Sequence, residues 1–515
     1  MKNLKKLLYQ DWQRADLGNW AKTKRRWAKT LKSIPNNSLI YQAYQELLAE
    51  GKIVKNSRIE KSLQIRKIRT LSGIAPFAVM MKPHPCPGNC LYCVNEPGMP
   101  KSYMSDEPAA ARAKMLDFDP KAQVLARLKQ LENIGHQPQK LQIIVIGATF
   151  SAYPRDYKYE FIKTIFDACN GQISKTLKTA QKLNEQAKYR IIGMSVETRP
   201  DWINLAEIKL MRELGITKVQ LGVQSLDSQI LKNIKRGHGV TAIIKATKML
   251  RDHGFKINYH LMPNLPGSMP NKDLADFKKV FADSRFRPDT IKIYPCIVLP
   301  KTGLCKLWQE GKYKSYDDET LTNLLIKMKT VVPPYCRIDR LVRDITANWT
   351  ASGTKKTNMR QIVVQKMVEQ KLTCQCIRCR EVRDQSLLTP EVKLKTLKYR
   401  ASGGWEYFLS FEDDKYLYAM LRLRLVKNTK PGFKVLEKGA LVRELQVFGR
   451  QVQISSHSKS ASQHQSLGKQ LLAKAEDIAL KQDYEKIAII SGVGVRDYYC
   501  KLGYELKQTY MVKSL

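Results

Sequence analysis

The sequence predicts an α/β protein in which a partial (β/α) barrel is followed by a second, smaller α/β domain and preceded by a basic helical extension. Three observations predict it. Short apolar runs alternate with helical stretches from about residue 70 to residue 330, the pattern of a parallel sheet with outer helices. After Gly403–Gly404 the pattern changes to longer, antiparallel-type strands. A chain of 515 residues is also too long for a single core. The expected boundaries are 1–70 for the helical region, 71–330 for the barrel, 331–395 for a linker and 396–515 for the second domain.

The elements follow in order. Residues 1–50 place Leu, Tyr and Trp at helical spacings, with Lys22, Lys24, Arg25, Arg26 and Lys29 on exposed turns. Trp12, Trp20 and Trp27 either stack on bases or pack these helices together. The barrel strands are expected at 141–150, 190–200, 218–225, 256–267 and 290–300, the last closing the series. Helices are expected at 161–171, 203–215 and 241–254. Polar residues at the C-terminal ends of such strands line an active site, which singles out Thr149, Glu197, Arg199, Gln224 and His260. In the second domain, strands are expected at 414–426 and 439–455. A helix at 466–482, a strand at 485–491, a short helix and a final strand follow.

The balance of 89 Lys and Arg against 47 Asp and Glu, a net charge of +42, calls for a polyanionic partner. Residues 1–70 alone hold 17 basic and 5 acidic side chains, so the field is strongest where the helices are, and affinity for a phosphate backbone there would fall steeply with salt. No run of 18 apolar residues and no secretory signal is evident, so a membrane span is not expected. Eleven cysteines, six of them in two tight clusters, point to metal binding in a reducing cytoplasm.

The first cluster is Cys86-x3-Cys90-x2-Cys93, within KPHPCPGNCLYC. Three such cysteines hold three irons of a 4Fe–4S cluster and leave the fourth open for S-adenosylmethionine (SAM), the radical SAM signature. A structural zinc site there would need a fourth ligand, and His84 is an awkward reach. Arg199 suits a carboxylate as a planar donor fork, and Glu197, Arg199 and Gln224 are the candidates for the SAM pocket. The second cluster is Cys374-x-Cys376-x2-Cys379. No histidine lies between His260 and His457, which leaves Cys336, Asp344 or a water as a fourth zinc ligand.

Near the C-terminus, Gln463-His464-Gln465-Ser466-Leu467-Gly468 opens an amphipathic helix after the strand ELQVFG. Free backbone N–H groups at such a helix start cradle a pyrophosphate. Tyr498 and Tyr499 follow and offer a phenolic proton. In this order the segment resembles the GNAT acyltransferase fold, with Ser466 where the first loop glycine usually stands.

Both halves together resemble the catalytic subunit of Elongator and its single-chain prokaryotic homologues. The likeness runs from about residue 55 to the C-terminus, through GATFSAYP, VETRPDW, HLMPNLPG, RASGGWEYFLSFED, VRELQVFG and SGVGVRDYYCKLGYE. The resemblance implies a tRNA carboxymethyluridine synthase. Acetyl-CoA enters through the GNAT domain, a 5′-deoxyadenosyl radical takes hydrogen from the acetyl methyl, and the carbon radical adds to C5 of wobble uridine 34. It implies Cys86, Cys90 and Cys93 as cluster ligands and zinc at Cys374, Cys376 and Cys379. It also implies acetyl-CoA contacts at Lys140, Glu444, Leu445, Gln446, Val447, Leu467, Gly468, Lys469 and Tyr499, with Lys140, Tyr498 and Tyr499 as catalytic residues. The anticodon stem-loop of tRNA and a reductant for the cluster are the expected partners, and the chain acts as a monomer or homodimer. Ala148 stands where the family has the second glycine of Gly-Gly-Thr-Phe. A protein lysine acetyltransferase is the alternative, but it leaves the cysteine triplet without a use.

Overall fold

The computed structural model of the chain describes residues 1–14, 17, 19–65, 70–343, 345–383, 391–426, 432–449 and 466–515. Gln463, His464 and Gln465 of the expected loop, Asp344, and the strand expected beyond residue 449 lie outside the described residues.

Seven strands form one all-parallel sheet in chain order: β1 (Ile74–Met80), β2 (Lys140–Ile146), β3 (Arg190–Thr198), β4 (Lys218–Gln224), β5 (Lys256–Leu261), β6 (Thr290–Ile293) and β7 (Arg337–Leu341). Two of these depart from the sequence expectation. β1 precedes the expected series, and β7 extends the sheet past residue 330 into the stretch read as linker. Along each strand, alternate residues face inward, as the strand's two-residue period requires. Leu141, Ile143, Val145, Val219, Leu221 and Val223 point outward and are fully buried under the helices. Gln142, Ser195, Glu197, Lys218, Gln220, Lys292 and Asp339 point inward and line a central cavity. A polar lumen inside an apolar shell results.

The second sheet has the order β13-β14-β12-β11-β10-β9-β8. Its strands are β8 (Lys393–Ala401), β9 (Gly404–Glu412), β10 (Leu417–Leu425), β11 (Gly439–Val447), β12 (Lys486–Ile489), β13 (Glu505–Lys507) and β14 (Tyr510–Ser514). Among the described residues only its β11–β12 pair is parallel, and the helix Leu467–Leu480 lies between those two strands in the chain. β8 begins within the stretch expected as linker.

At the N-terminus, helices Lys2–Gln13, Trp20–Leu31, Asn37–Ala49 and Ser57–Leu63 enclose a core of their own around Leu8, Trp27, Ile40 and Tyr44. The tryptophans pack the helices. Trp27 is buried and its indole N–H donates to Asp11 Oδ2 at 2.6 Å, while Trp12 meets Tyr44 and Trp20 meets Trp27. Lys22, Arg25 and Lys29 remain exposed.

The two sheets are joined by charge. Arg443, fully buried, donates to Asp289 Oδ2 at 2.9 Å on the barrel side and to Glu406 Oε2 at 3.0 Å on its own side. Arg424 bridges Glu406 at 3.0 Å and Asp252 at 3.0 Å. Glu444 takes Arg422 Nε and Lys256 Nζ, both at 2.8 Å. Four cations thus meet four carboxylates across the domain boundary. Burial would raise the Glu444 carboxyl, but Lys256 and Arg422 outweigh it and hold the group down to about 2. Close packing completes the junction: a Cβ on Gly492 would lie 2.0 Å from the Ile192 carbonyl oxygen on β3.

Removing one partner from a buried ionic network strands the others without solvent. The substitution Arg443→Met should therefore lower unfolding stability by ~3–5 kcal/mol. Lys438→Met, which loses only the exposed bridge to Glu485, should leave the urea midpoint close to that of the parent. Urea denaturation of the two variants side by side checks this.

Candidate functional site

A cavity of 1110 Å³ runs through the half-barrel. At the C-terminal ends of the strands it is lined by Cys86, Cys90, Cys93, Thr149, Glu197, Arg199, Gln224 and His260, so all five strand-end candidates share one space with the cysteine triplet. At the opposite end it is lined by Lys218, Lys256, Arg337 and Asp339, at or near the strand starts, and by Glu444 and Gln446 of β11. Its wall carries fourteen lysines and arginines against four carboxylates, an environment for anions.

The cysteine loop is held by its neighbours. Cys86 Sγ lies 3.6 Å from Thr149 Oγ1, Arg236 Nη1 donates to Cys90 Sγ at 3.4 Å, and Lys101 Nζ donates to the Gly88 carbonyl at 2.7 Å. Arg199 spends two donors on Asp201, at 3.0 and 2.8 Å, and its buried Nη1 has no partner. That Nη1 stands against the loop: a Cβ on Gly88 would lie 2.4 Å from it. Gln224, in the left-handed region at φ 70°, holds a buried Oε1 that is also without a partner. Glu197 is already engaged, accepting from Tyr103 Oη and from Lys292 Nζ at 3.3 Å. An unpaired donor and an unpaired acceptor beside three cysteines fit a bound amino-acid moiety next to a cluster. His84 is turned away, stacked on Tyr153 with Nε2 3.1 Å from the Ala152 carbonyl. Burial first, then Lys292 and Lys218, hold the His260 imidazole far below its ordinary range, so it is neutral at pH 7.

Strand β11 walls the cavity from a second site. Glu444 and Gln446 face the lumen, whereas Leu445 and Val447 face the start of the helix Leu467–Leu480. A Cβ on Gly468 would lie 3.2 Å from Tyr498 Oη, 3.6 Å from Val447 Cγ2 and 4.0 Å from Leu445 Cδ2. The structure thus gathers Leu445, Val447, Gly468 and Tyr498. Lys469 is exposed beside them and Leu467 is buried. Glu444 does not join this group, being held in the domain junction. Tyr499 is buried edge-on between Tyr498 at 5.2 Å and Tyr504 at 6.1 Å, and burial pushes its phenol far up. Lys140 pairs in register with Arg190, whose Cβ would touch a Cβ on Gly494. It therefore lies at the seam between the domains, where burial and then Arg190 hold its ammonium below the ordinary lysine range.

The sulfur atoms of Cys374, Cys376 and Cys379 lie within 4.8 Å of one another, close to the spacing of about 3.8 Å that tetrahedral zinc–thiolate bonds impose. Lys329 Nζ sits 3.5 Å from Cys379 Sγ. Cys336 is not part of this group among the described residues; its carbonyl instead accepts from Ile377 N at 3.0 Å.

Residues 84–277 match the radical SAM superfamily and residues 288–369 its C-terminal domain. The tRNA uridine(34) acetyltransferase of Dehalococcoides mccartyi is 44% identical over 454 residues, covering 87% of this chain and 99% of that protein. Human Elongator complex protein 3 is 39% identical over 471 residues, covering 88% and 86%. The chain belongs to the Elongator protein 3 family. Among solved structures, the archaeal Methanocaldococcus infernus Elp3 with an N-terminal deletion matches with a TM-score of 0.75 at 39% identity, over 86% of this chain and 99% of that one. As a radical SAM enzyme of this family, the chain is built for a 4Fe–4S cluster and SAM.

Arg236, Tyr103, Lys218 and Lys292 escaped the sequence reading. A lysine at an alternate position in an apolar strand, as in KVQLGVQ and TIKI, is the signal that would have found two of them. No helix among the described residues is long and apolar enough to cross a membrane.

Gly88→Ala should displace Arg199 Nη1 and leave the cysteines in place. Equilibrium dialysis with labelled SAM should then show affinity down about tenfold, the loss of one charge-assisted bond, at unchanged iron content. Gly239→Ala, with no atom within 4 Å of the new Cβ, should match the parent.

Proposed function

We propose that this chain converts wobble uridine 34 of tRNA to 5-carboxymethyluridine, drawing the two added carbons from acetyl-CoA. The observation that carries this reading is the shared wall. One face of β11 borders a cavity that reaches the cysteine triplet, and its other face meets Gly468 and Tyr498 at a helix start.

In this reading Cys86, Cys90 and Cys93 hold the cluster, and Arg199 Nη1 and Gln224 meet the methionyl group of SAM, with Glu197 orienting Lys292 nearby. Once bound, that cofactor pair supplies one-electron hydrogen abstraction from carbon, which an unactivated acetyl methyl requires. The backbone N–H groups of Leu467, Gly468 and Lys469 bind the coenzyme A pyrophosphate. Leu445 and Val447 flank the pantetheine, with the Gln446 backbone between them. Tyr498, 38% exposed with its hydroxyl over Gly468, is placed to give a proton to the departing thiolate. Tyr499 props that ring from behind. Lys140, at the seam, meets the acyl donor from the barrel side. The basic lumen and the helices of residues 1–70 receive the anticodon stem-loop, and a cationic wall disfavours a lysine side chain as acyl acceptor.

Cys374, Cys376 and Cys379 hold zinc in a structural role. Their loop joins the sheets: Arg337 pairs with Glu381, Arg380 with Glu412, and Val382 N donates to the Leu417 carbonyl at 3.0 Å. Eleven free cysteines suit a reducing cytoplasm.

Acetyl-CoA hydrolysis by the purified protein should rise when tRNA with an unmodified wobble uridine is added. Tyr498→Phe and Lys140→Ala should each lower the stimulated rate by about 10²-fold or more while leaving tRNA affinity intact. Hydrolysis indifferent to tRNA would count against the coupled reading.

A further inference from the structure

The cluster loop has an outer side that the cavity does not use. Between Cys90 and Cys93, Leu91 donates its N–H to the Ile234 carbonyl at 3.1 Å and accepts from Leu304 N at 2.8 Å. Neither Leu91 nor its two backbone partners line the lumen. The turn that carries Ile234 forms a separate outer cleft of 390 Å³, lined by Leu231, Lys232, Lys235, Arg236 and His238 among others. Arg236 lines both spaces. Its Nη1 donates to Cys90 Sγ at 3.4 Å and its Nη2 to the Gly222 carbonyl at 2.6 Å. A surface cleft is thus one side chain away from a cluster ligand.

The rim of this outer face is basic. Lys232 and Lys235 are exposed on the turn, and Lys301 and Lys306 are exposed at the helix Gly303–Gln309 that hangs from Leu91. None of the four forms a salt bridge among the described residues. The carboxylates nearby are already taken: Asp227 by Lys272 at 3.0 Å, Asp201 by Arg199 and Glu310 by Lys312 at 2.9 Å. Leu91 is half-buried and supplies a small apolar centre, Leu231 is buried beneath the cleft, and Trp308, on the helix Gly303–Gln309, is 36% exposed. A small apolar centre ringed by like charge is suited to brief, electrostatically steered encounters.

We propose that this outer face is the docking surface for an acidic one-electron carrier protein that reduces the cluster. The proposal rests on the radical-cluster reading of Cys86, Cys90 and Cys93 and not on the identity of the RNA product. In the step, one electron leaves the carrier's reduced cofactor and enters the cluster, with no bond made or broken. The mouth of the lumen is left to SAM and the nucleic acid, so reduction and substrate binding use opposite sides of one loop. Arg236 and the Leu91–Ile234 hydrogen bond give the electron a short, covered route.

The test is anaerobic stopped-flow reduction of the cluster-loaded protein, without tRNA or acetyl-CoA, followed by bleaching of the cluster absorbance. The probes are an acidic flavodoxin in its hydroquinone form and, separately, dithionite. In Lys232→Glu/Lys235→Glu/Lys306→Glu the flavodoxin-driven rate should fall about tenfold or more, and the parent rate should fall likewise with added salt. The dithionite-driven rate and tRNA affinity should stay at parent values. Flavodoxin reduction that ignores both the charge reversal and salt would overturn the proposal. So would an equal loss with dithionite, which would make the lysines supports of the cluster, or a loss confined to tRNA affinity, which would assign the face to RNA. Failure of uridine modification alone leaves these rates untouched, so the two readings fail separately.

Discussion

The junction of Arg422, Arg424, Arg443 and Lys256 with Asp252, Asp289, Glu406 and Glu444 is the constraint on which the rest depends. Each of these groups is expensive to bury alone, and the cost is offset only when all eight meet at once. A neutral set of this kind specifies a single relative placement of barrel and second sheet. It also sets what β11 does. Consecutive strand residues normally point to opposite faces, yet Arg443 and Glu444 both enter the junction. A β-bulge permits this: Arg422 pairs with Glu444 and Leu423 with Val442, leaving Arg443 as the extra residue. From Glu444 onward the alternation resumes, which sends Gln446 to the lumen and Leu445 and Val447 to the helix start. The same bulge that builds the junction builds the shared wall.

Around the lumen the backbone is held in conformations that side chains disfavour. Ser102, Ala148, Gln224 and Val342 all line the cavity at φ between 70° and 79°. Val342 is β-branched and the most strained of them. Such residues persist where the surroundings over-determine them, which is common at sites that must hold ligands in fixed places. Two positions at which the resemblance leads one to expect glycine acquire a physical meaning here. Ala148 has φ 72° and Ser466 has φ 59°, a region in which glycine, the residue the resemblance leads one to expect at both positions, carries no penalty. Each costs on the order of 1 kcal/mol and stiffens the turn it occupies.

Much of this was legible in the sequence. Five barrel strands announced themselves as apolar runs bounded by turn residues, and the strand-end polar residues fell where the parallel-sheet rule places them. The cysteine triplet and the helix-opening Ser466-Leu467-Gly468 carried their chemistry in their spacing. β1 was hidden by Pro76, and β7 by its composition: RIDRL presents Arg337, Asp339 and Arg340 because its inward face meets charged partners. The bulge at Arg443 and the double exposure of Arg236 to two clefts are products of tertiary packing. No periodicity within one strand or helix encodes them. Glu444 lies in the strand that the resemblance assigns to the acyl donor, and its carboxylate is held at the junction by Lys256 and Arg422, partners remote in the sequence.

In the proposed reaction the acyl donor, bound behind β11, and the cluster in the cavity act on the same carbon across their shared wall. The most direct measurement is an anaerobic reaction with SAM, tRNA bearing an unmodified uridine 34, and acetyl-CoA deuterated on its methyl group, followed by mass spectrometry of both products. Deuterium is expected in 5′-deoxyadenosine, together with a dideuterated carboxymethyl group on uridine 34. Unlabelled 5′-deoxyadenosine, with the deuterated acetyl group recovered on protein lysines or as free acetate, would contradict it.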